Sequence, residues 1–155
     1  MMMMDPYPSE VISRLWLGSR AHATMKPWLQ QHHITDVLNI GAPSLIDIER
    51  LPNVRYHDFV IEDTPRARIG SLFDPCYRII TKALNENPTN NVLVHCFAGV
   101  SRSTTIVASF LMRFFGMSRQ AAIKWIKQTR PIIQPNPGFL HQLDQFQYWL
   151  SSPSQ

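Results

Sequence analysis

One stretch of this 155-residue chain joins a buried strand, a short loop and a buried helix without a break. Val92-Leu93-Val94 is a continuous apolar run after a polar turn, which is typical of a strand with both faces covered. The segment from Thr104 to Phe115 is apolar nearly all round, which predicts a helix packed behind a sheet rather than on a surface. Strand, loop and buried helix in this order predict an α/β fold.

The rest of the pattern supplies the other elements of such a fold. Hydrophobic periodicity and turn residues predict further strands at 11–17, 36–40 and 54–61, and helices that begin at Thr24, Leu72, Ser118 and Asn136. The charged segment from Glu62 to Gly70 has no apolar period and is predicted to be a loop. We therefore expect a single α/β domain with a central mixed, mostly parallel sheet flanked by helices, and with its ligand loop at the carboxyl end of a strand.

Length and composition agree with one folded domain. A chain of 155 residues, of which 45% are hydrophobic, has enough apolar material to form a core and to exclude a disordered chain. We expect an N-terminal extension over residues 1–8, the folded domain over 9–150 and a polar tail over 151–155.

Charge and cysteine content narrow the partners and the location. The formal net charge is +4, and eleven of the fifteen cationic residues are Arg, whose planar fork suits phosphate and carboxylate oxygens. The sequence has no block of basic residues of the kind that binds nucleic acid, and no apolar segment long enough to cross a bilayer. We therefore predict neither nucleic acid nor a membrane as a partner. Two cysteines, Cys76 and Cys96, form neither a disulfide framework nor a zinc spacing, so no metal or cofactor is predicted. Without a secretion signal we expect a cytoplasmic protein, with the nucleus as a second location.

The loop of residues 97–102 has the features of an anion site. A loop that leaves a buried strand and enters a helix collects backbone N–H groups and the positive end of the helix dipole at one point. Gly99 permits a tight turn, and Arg102 at the helix start can donate to two oxygens of one phosphate. Beside these groups, the Cys96 thiol is expected to be a thiolate and a nucleophile, whereas a lone Cys after a strand is otherwise a small buried hydrophobe.

Residues 95–103 (HCFAGVSRS) resemble the signature of cysteine-dependent protein phosphatases, and residues 98–103 resemble the dual-specificity branch in particular. Residues 130–139 (RPIIQPNPGF) and 11–19 (VISRLWLGS) are similar to the segment after the penultimate helix and to the opening strand of that family. The resemblance covers roughly residues 9–150. It implies a small, atypical dual-specificity phosphatase catalytic domain with a protein tyrosine phosphatase-like fold.

The resemblance also implies a reaction and the residues that carry it. Phosphotyrosine and phosphoserine or phosphothreonine would be hydrolysed without a metal, through a cysteinyl-phosphate on Cys96. The phosphate would be held by Arg102 and by the loop residues Phe97, Ala98, Gly99, Val100 and Ser101. Asp63, in the loop after a predicted strand, is the implied proton donor, with Asp58 and Glu62 as alternatives.

Three more residues are implied to support this chemistry. Ser103 would stabilise the departing thiolate, although a Ser in the first turn of a helix can also cap it. His95 would support the loop, and Asn136 is either a helix N-cap or a brace for the phosphate loop.

Other residues have two interpretations each. A positive rim, for a second phosphate or an acidic peptide, could be formed by Arg66, Arg68 and Arg130, and the alternative is that these are ordinary surface arginines. Cys76 is expected in the core, with a redox role toward Cys96 as the alternative, and Trp125, Phe139, Phe146 and Trp149 are also expected there.

The implied partner is a phosphorylated protein, with a MAP-kinase-like activation loop as one candidate. The alternatives are an RNA 5'-phosphatase, a phosphoinositide phosphatase, or a phosphopeptide-binding module without turnover. Lipid phosphatases of the superfamily tend to carry Lys in the loop, where this chain has Phe97, Ala98 and Val100. RNA phosphatases tend to end the loop in Asn-Arg-Thr, where this chain reads Ser101-Arg102-Ser103, so a protein substrate is favoured.

Overall fold

The computed structural model describes residues 4–153 as five strands, six α-helices and two short 3-10 helices. Residues 1–3 of the predicted N-terminal extension and 154–155 of the predicted polar tail lie outside the described residues. In chain order the elements are β1 (Ser9–Ile12), β2 (Leu15–Gly18), α1 (Arg20–Ala23), α2 (Lys26–Gln31), β3 (Ile34–Ile40), a 3-10 helix (Asp47–Glu49), β4 (Arg55–Phe59), a 3-10 helix (Ile69–Leu72), α3 (Phe73–Glu86), β5 (Asn91–His95), α4 (Arg102–Phe115), α5 (Arg119–Thr129) and α6 (Pro137–Leu150).

The five strands form one sheet in the order β1-β2-β5-β3-β4. β1 pairs with β2 in the antiparallel sense, and the other three pairings are parallel. This arrangement confirms the predicted mixed, mostly parallel sheet.

Both faces of the sheet are covered, which explains the apolar run in the central strand. Val92 and Val94 of β5 face a large core with helices α3 to α6, whereas Leu93 faces a smaller core with α1 and α2. Because side chains alternate along a strand, a strand buried on both faces needs apolar residues at consecutive positions.

The N-terminal part differs from the prediction in two places. The predicted strand at 11–17 is divided into β1 and β2, because Arg14 turns the chain with a φ of 72° between them. Thr24, predicted to begin a helix, ends the short helix α1 instead, and α2 begins two residues later with Pro27 in its first turn. The predicted buried face of that helix is correct at Trp28 and Leu29.

The four parallel strands bring their carboxyl ends to one edge of the sheet. The chain leaves this edge at Gly18, Ile40, Phe59 and His95. Residues that follow these strands can therefore meet at one site. Among the helices of the described chain, none is long and apolar enough to cross a bilayer.

Candidate active site

Cys96 lies at the junction of β5, the loop and α4. Its side chain is buried, with only 3% of the residue exposed. The Sγ atom lies 3.1 Å from the hydroxyl oxygen of Ser103, which is itself fully buried in the first turn of α4. Ser103 does not cap the helix, because Ser101 occupies the N-cap position. The hydroxyl of Ser103 is thus placed to act on the sulfur.

The loop is held by its carbonyl groups. All six carbonyl oxygens from Cys96 to Ser101 accept a hydrogen bond from the surrounding protein. The donors, in order, are His95 Nδ1 (3.0 Å), Arg20 N (3.0 Å), Arg130 Nη2 (3.2 Å), Arg130 Nε (2.8 Å), Gln134 N (2.8 Å) and Thr105 N (3.0 Å).

This arrangement directs the N–H groups of the loop toward one centre. In a trans peptide unit the N–H group points away from the carbonyl of the same unit, so carbonyls held outward turn the N–H groups inward. In the described part of the chain, no N–H group from Phe97 to Arg102 donates to another backbone group. Gly99, with a φ of 70°, permits the turn and lies so close to Gly18 that a Cβ atom would not fit. The loop thus has the arrangement that an anion site needs, and anion binding itself stays a prediction.

Arg102 begins α4 and has one side of its guanidinium fixed. Its Nη1 donates to the carbonyl oxygens of Gly41 (2.8 Å) and Ile61 (3.0 Å). Its Nε is buried and has no hydrogen-bond partner among the described residues. Because a buried charged donor without a partner is costly, an anion in the loop is the acceptor that this geometry suits.

His95 supports the loop as a neutral side chain. It is 1% exposed, and burial lowers its pKa to about 4. The neutral ring donates from Nδ1 to the carbonyl of Cys96, which assigns its tautomer. His95 therefore contributes to the loop through orientation rather than charge.

Asp63 comes from the loop after β4 and reaches the phosphate loop. Its Oδ1 accepts hydrogen bonds from the Ser101 hydroxyl (2.8 Å) and from Asn136 Nδ2 (2.9 Å). The structure thus brings together three predicted site residues that are far apart in the sequence. Neither of these bonds uses Oδ2.

The alternative acid, Asp58, is occupied elsewhere. Burial opposes its ionisation, but hydrogen bonds from Asn39 (2.9 Å) and Arg50 (2.9 Å) outweigh that effect and lower the pKa of Asp58. A carboxylate held in its ionised form by an arginine is a poor proton donor. Glu62, the other alternative, is exposed in the same loop as Asp63.

The loop of Asp63, residues 60–68, is fixed to α6. Gly138 lies so close to the Pro65 backbone that a Cβ atom would overlap it. Gln142 donates to the Ala67 carbonyl (2.8 Å) and accepts from Gly70 N (2.9 Å). The position of Asp63 therefore depends on the first two turns of α6.

Asn136 has both of the roles that the sequence left open. Its side-chain oxygen accepts from Phe139 N (2.9 Å) and caps α6, while its amide donates to Asp63. Its backbone N–H donates to the Ser101 hydroxyl (3.1 Å). Asn136 thus links α6, Asp63 and the phosphate loop.

Arg130 differs from the predicted positive rim. Arg66 and Arg68 are exposed in the loop of Asp63, as a rim requires. The Arg130 side chain is only 1% exposed and donates hydrogen bonds to the carbonyls of Ala98 and Gly99 in the loop. The prediction that Arg130 belongs to the rim was therefore wrong. Its partners, the carbonyls of Ala98 and Gly99, are backbone groups that a sequence pattern does not indicate.

The structure confirms some of the residues predicted to lie in the core and contradicts others. Cys76 is fully buried, and burial raises its pKa to about 12, which describes a neutral core thiol. Phe139 is fully buried and Phe146 is partly buried, as expected. Trp125 and Trp149 are 43% and 50% exposed, so their assignment to the core was wrong. Trp125 donates its indole N–H to the partly buried carbonyl of Val11 (2.8 Å).

The sequence did not indicate the carbonyls of Gly41 and Ile61, which hold Arg102, or the side-chain role of Ser101. The one local signal was Gly41 directly after a predicted strand, and its φ is 85°. Within residues 4–153, no group of three or more His, Cys, Asp or Glu side chains is arranged to hold a metal ion.

Comparisons with known proteins agree with this geometry. The family model for the dual specificity phosphatase catalytic domain matches residues 15–148. Dual specificity protein phosphatase 1B of Arabidopsis thaliana is 37% identical over 142 residues, which cover 90% of this chain and 81% of that protein.

Two solved structures share the fold along nearly the whole chain. A crystal structure of DUSP15 has a TM-score of 0.86 at 34% identity and covers 93% of this chain and 89% of its own. Human DUSP28 has a TM-score of 0.89 at 26% identity and covers 98% and 100%. Other curated relatives of similar identity are longer, and the chain spans 39% to 68% of their length. The chain belongs to the dual-specificity protein phosphatase family and is similar to its small atypical members.

Proposed function

We propose that this protein hydrolyses phosphate monoesters of Tyr, Ser and Thr side chains in proteins, through a cysteinyl-phosphate and without a metal. The observation that carries the proposal is buried Cys96, 3.1 Å from the Ser103 hydroxyl, at the floor of a loop whose peptide N–H groups converge. A thiolate beneath a bound phosphate is a nucleophile in position to attack.

In the first step, the Cys96 thiolate forms a bond to phosphorus while the bond to the substrate oxygen breaks. Negative charge on the three equatorial oxygens is stabilised by the loop N–H groups and by Arg102. The Gly41 and Ile61 carbonyls hold Arg102 Nη1, so the guanidinium is oriented before substrate binds.

Asp63 gives its proton to the departing oxygen. Both hydrogen bonds that fix Asp63 go to Oδ1, so Oδ2 is the atom that carries the proton. Ser and Thr alkoxides are strongly basic leaving groups, so they depend most on this proton.

In the second step, the Asp63 carboxylate accepts a proton from a water molecule whose oxygen attacks phosphorus. The bond between sulfur and phosphorus breaks, and inorganic phosphate leaves. The Ser103 hydroxyl donates to the departing thiolate, which restores the enzyme.

The surroundings of the site support dual specificity. In the described chain, the connections 41–54, 60–68 and 96–101 add no helix or strand around the site beyond the 3-10 helix Asp47–Glu49, which supports a low rim. A low rim admits phosphoserine and phosphothreonine as well as the longer phosphotyrosine. Phe97 and Ala98 are exposed and uncharged, which suits a protein phosphate better than a polyanionic lipid head group.

The proposal extends to a segment that carries phosphothreonine and phosphotyrosine together, as in a MAP-kinase-like activation loop. It also includes a catalytic domain at residues 9–150 between an extension at 1–8 and a tail at 151–155. The cytoplasmic and nuclear locations stay predictions.

The test is phosphate release from one peptide that carries both phosphothreonine and phosphotyrosine, with chelator and reductant present. Wild type is expected to release both phosphates, and Cys96→Ser is expected to release neither. Release of phosphotyrosine alone would contradict dual specificity, and release only after addition of a divalent metal would contradict the metal-free mechanism. Binding of the peptide by wild type without release would instead favour a binding module.

A further inference from the structure

Arg130 is a buried cation beneath the phosphate loop. Its side chain is 1% exposed, and its ion-pair partner is Asp5, which lies in the segment before β1. The two side chains form a bidentate pair, Nη1 to Oδ1 and Nη2 to Oδ2, both at 2.8 Å. Nη1 also donates to the Ser9 hydroxyl at 3.3 Å. Because a buried charge without a charged partner is costly, the Asp5 carboxylate is the main group that holds the guanidinium in place.

The guanidinium of Arg130 in turn fixes two peptide units of the loop. Its Nε donates to the Gly99 carbonyl (2.8 Å) and its Nη2 to the Ala98 carbonyl (3.2 Å). These peptide units carry the N–H groups of Val100 and Gly99. A guanidinium is a rigid plane, so a tilt of Arg130 turns both N–H groups.

The loop has no side chain of its own at this point. Gly99 adopts a φ of 70° and touches the Gly18 backbone, so no Cβ atom holds the turn. The direction of the N–H groups at Gly99 and Val100 therefore depends on outside donors. Arg130 supplies the hydrogen bonds to two of the six loop carbonyls.

Asp5 is held at its backbone as well as at its carboxylate. Buried His22 of α1 accepts from Ser19 N at Nδ1 (3.0 Å), so its Nε2 donates to the Asp5 carbonyl (2.8 Å). The hydrogen-bonded chain thus runs from α1 through Asp5 and Arg130 to the phosphate loop.

We propose that Asp5 is a positioning residue for the phosphate loop and acts through Arg130. The proposal rests on the proposed function, because it concerns how the same loop binds phosphate. Loss of the Asp5 carboxylate would free the guanidinium to shift, turn the N–H groups of Gly99 and Val100 away from the anion, and weaken oxyanion binding. A merely structural ion pair would affect stability alone.

The experiment compares wild type with Asp5→Asn, which keeps the side-chain shape and removes the charge. Asp144→Asn is the matched control, because Asp144 forms an exposed ion pair with Arg119 between α5 and α6. Tungstate is the probe, and its affinity is measured by calorimetry at a temperature where circular dichroism shows each variant folded. The amide shifts of Gly99 and Val100 are recorded by NMR, and kcat and KM on the doubly phosphorylated peptide are measured in parallel.

Asp5→Asn is expected to weaken tungstate binding and lower kcat/KM by about tenfold, the size of one charge-assisted hydrogen bond. The Gly99 and Val100 amide shifts should move, and Asp144→Asn should match wild type. If Asp5→Asn does not fold, Asp5→Glu keeps the charge beside Arg130 and displaces the carboxylate, and it should show the same changes to a smaller extent.

Unchanged tungstate affinity and unchanged Gly99 and Val100 shifts in a folded Asp5 variant would overturn the positioning role, even if the variant melts at a lower temperature. A wild-type chain that binds tungstate but does not turn over would contradict the proposed function alone. A wild-type chain that binds no tungstate would overturn both.

Discussion

Asp63 accepts hydrogen bonds from Ser101 and Asn136 at Oδ1, and neither bond uses Oδ2, the oxygen proposed to carry the proton. Replacement by Ala is expected to lower kcat on a phosphoserine peptide by about 100-fold, the lower end of the range for general acid catalysis. With an aryl phosphate whose leaving group is already a weak base, the loss should be much smaller, because that oxygen needs no proton. Steady-state kinetics on the two substrates measure the difference.

Asp58→Asn is the matched control for this prediction. Asp58 is paired with Arg50 and Asn39, so its loss should affect both substrates equally. If Asp58→Asn, and not Asp63→Ala, loses more rate on the phosphoserine peptide than on the aryl phosphate, then Asp58 is the proton donor and the assignment to Asp63 is wrong.

In the proposed mechanism, the Ser103 hydroxyl donates to the sulfur of Cys96 as it leaves phosphorus in the second step. Ser103→Ala removes the hydroxyl 3.1 Å from Cys96 Sγ, so hydrolysis of the intermediate should slow by about tenfold or more, the size of a hydrogen bond to a charged group. Formation of the intermediate should change less. Stopped-flow kinetics with a chromogenic aryl phosphate should then show a burst of product. A uniform loss of rate without a burst would mean that Ser103 acts on the first step.

At the scale of elements, the contact between α6 and the loop of residues 60–68 is expected to position Asp63, the proposed acid. Gly138→Ala places a methyl group in the Pro65 backbone, so the loop must move. The variant should therefore lose rate selectively on the phosphoserine peptide, as Asp63→Ala does. The same pair of substrates measures this effect.

Gly116→Ala is the control for the glycine substitution itself. Gly116 ends α4 with a φ of 72°, and nothing lies within 4 Å of an added Cβ atom. That variant should lose about 1 kcal/mol of stability through backbone strain and keep the leaving-group dependence of wild type. An identical kinetic pattern in both variants would show that α6 does not position Asp63.

The elements that the sequence predicted well are those with strong local signals. α4 is apolar nearly all round and α6 begins at an Asn-Pro cap, so both were predicted close to their observed bounds. The division of β1 from β2 was missed because Arg14 adopts a left-handed conformation that no glycine marks. Cys96, Arg102 and Ser103 lie within one short segment and were visible together. Asp5 and Arg130 are 125 residues apart, and only the folded chain brings them into contact.

For the whole molecule, buried neutral histidines make stability depend on pH. Burial lowers the pKa of His95 from 6.5 to about 4, and it also lowers the pKa of His22. Below the unfolded value the unfolded chain binds a proton that the folded chain does not, so stability falls as pH falls. For His95 the loss between pH 6.5 and about 4 amounts to roughly 3 kcal/mol. Urea unfolding across this range measures it.

Substitution of single histidines separates the contributions to this slope. His95→Asn should flatten the pH dependence, whereas His141→Gln, at an exposed position of α6, should leave it unchanged. Stability that stays constant from about pH 7 to about pH 4 would contradict a neutral buried His95.

Asp36 makes stability depend on pH in a lower range. Burial opposes its ionisation, but hydrogen bonds from His57 and Arg55 outweigh that effect and lower its pKa from 3.8 to about 2. The stabilisation from Asp36 is therefore lost as pH falls through that range.

The central claim is that phosphate passes through Cys96. The most direct test is rapid acid quench of Ser103→Ala during turnover of the doubly phosphorylated peptide, followed by mass spectrometry of the proteolysed enzyme. The account predicts one phosphoryl group on the peptide that contains Cys96, and none on that peptide from Cys96→Ser or on the peptide that contains Cys76. Turnover by wild type with no phosphoryl group on Cys96 in the quenched variant, or turnover that persists in Cys96→Ser, would contradict it.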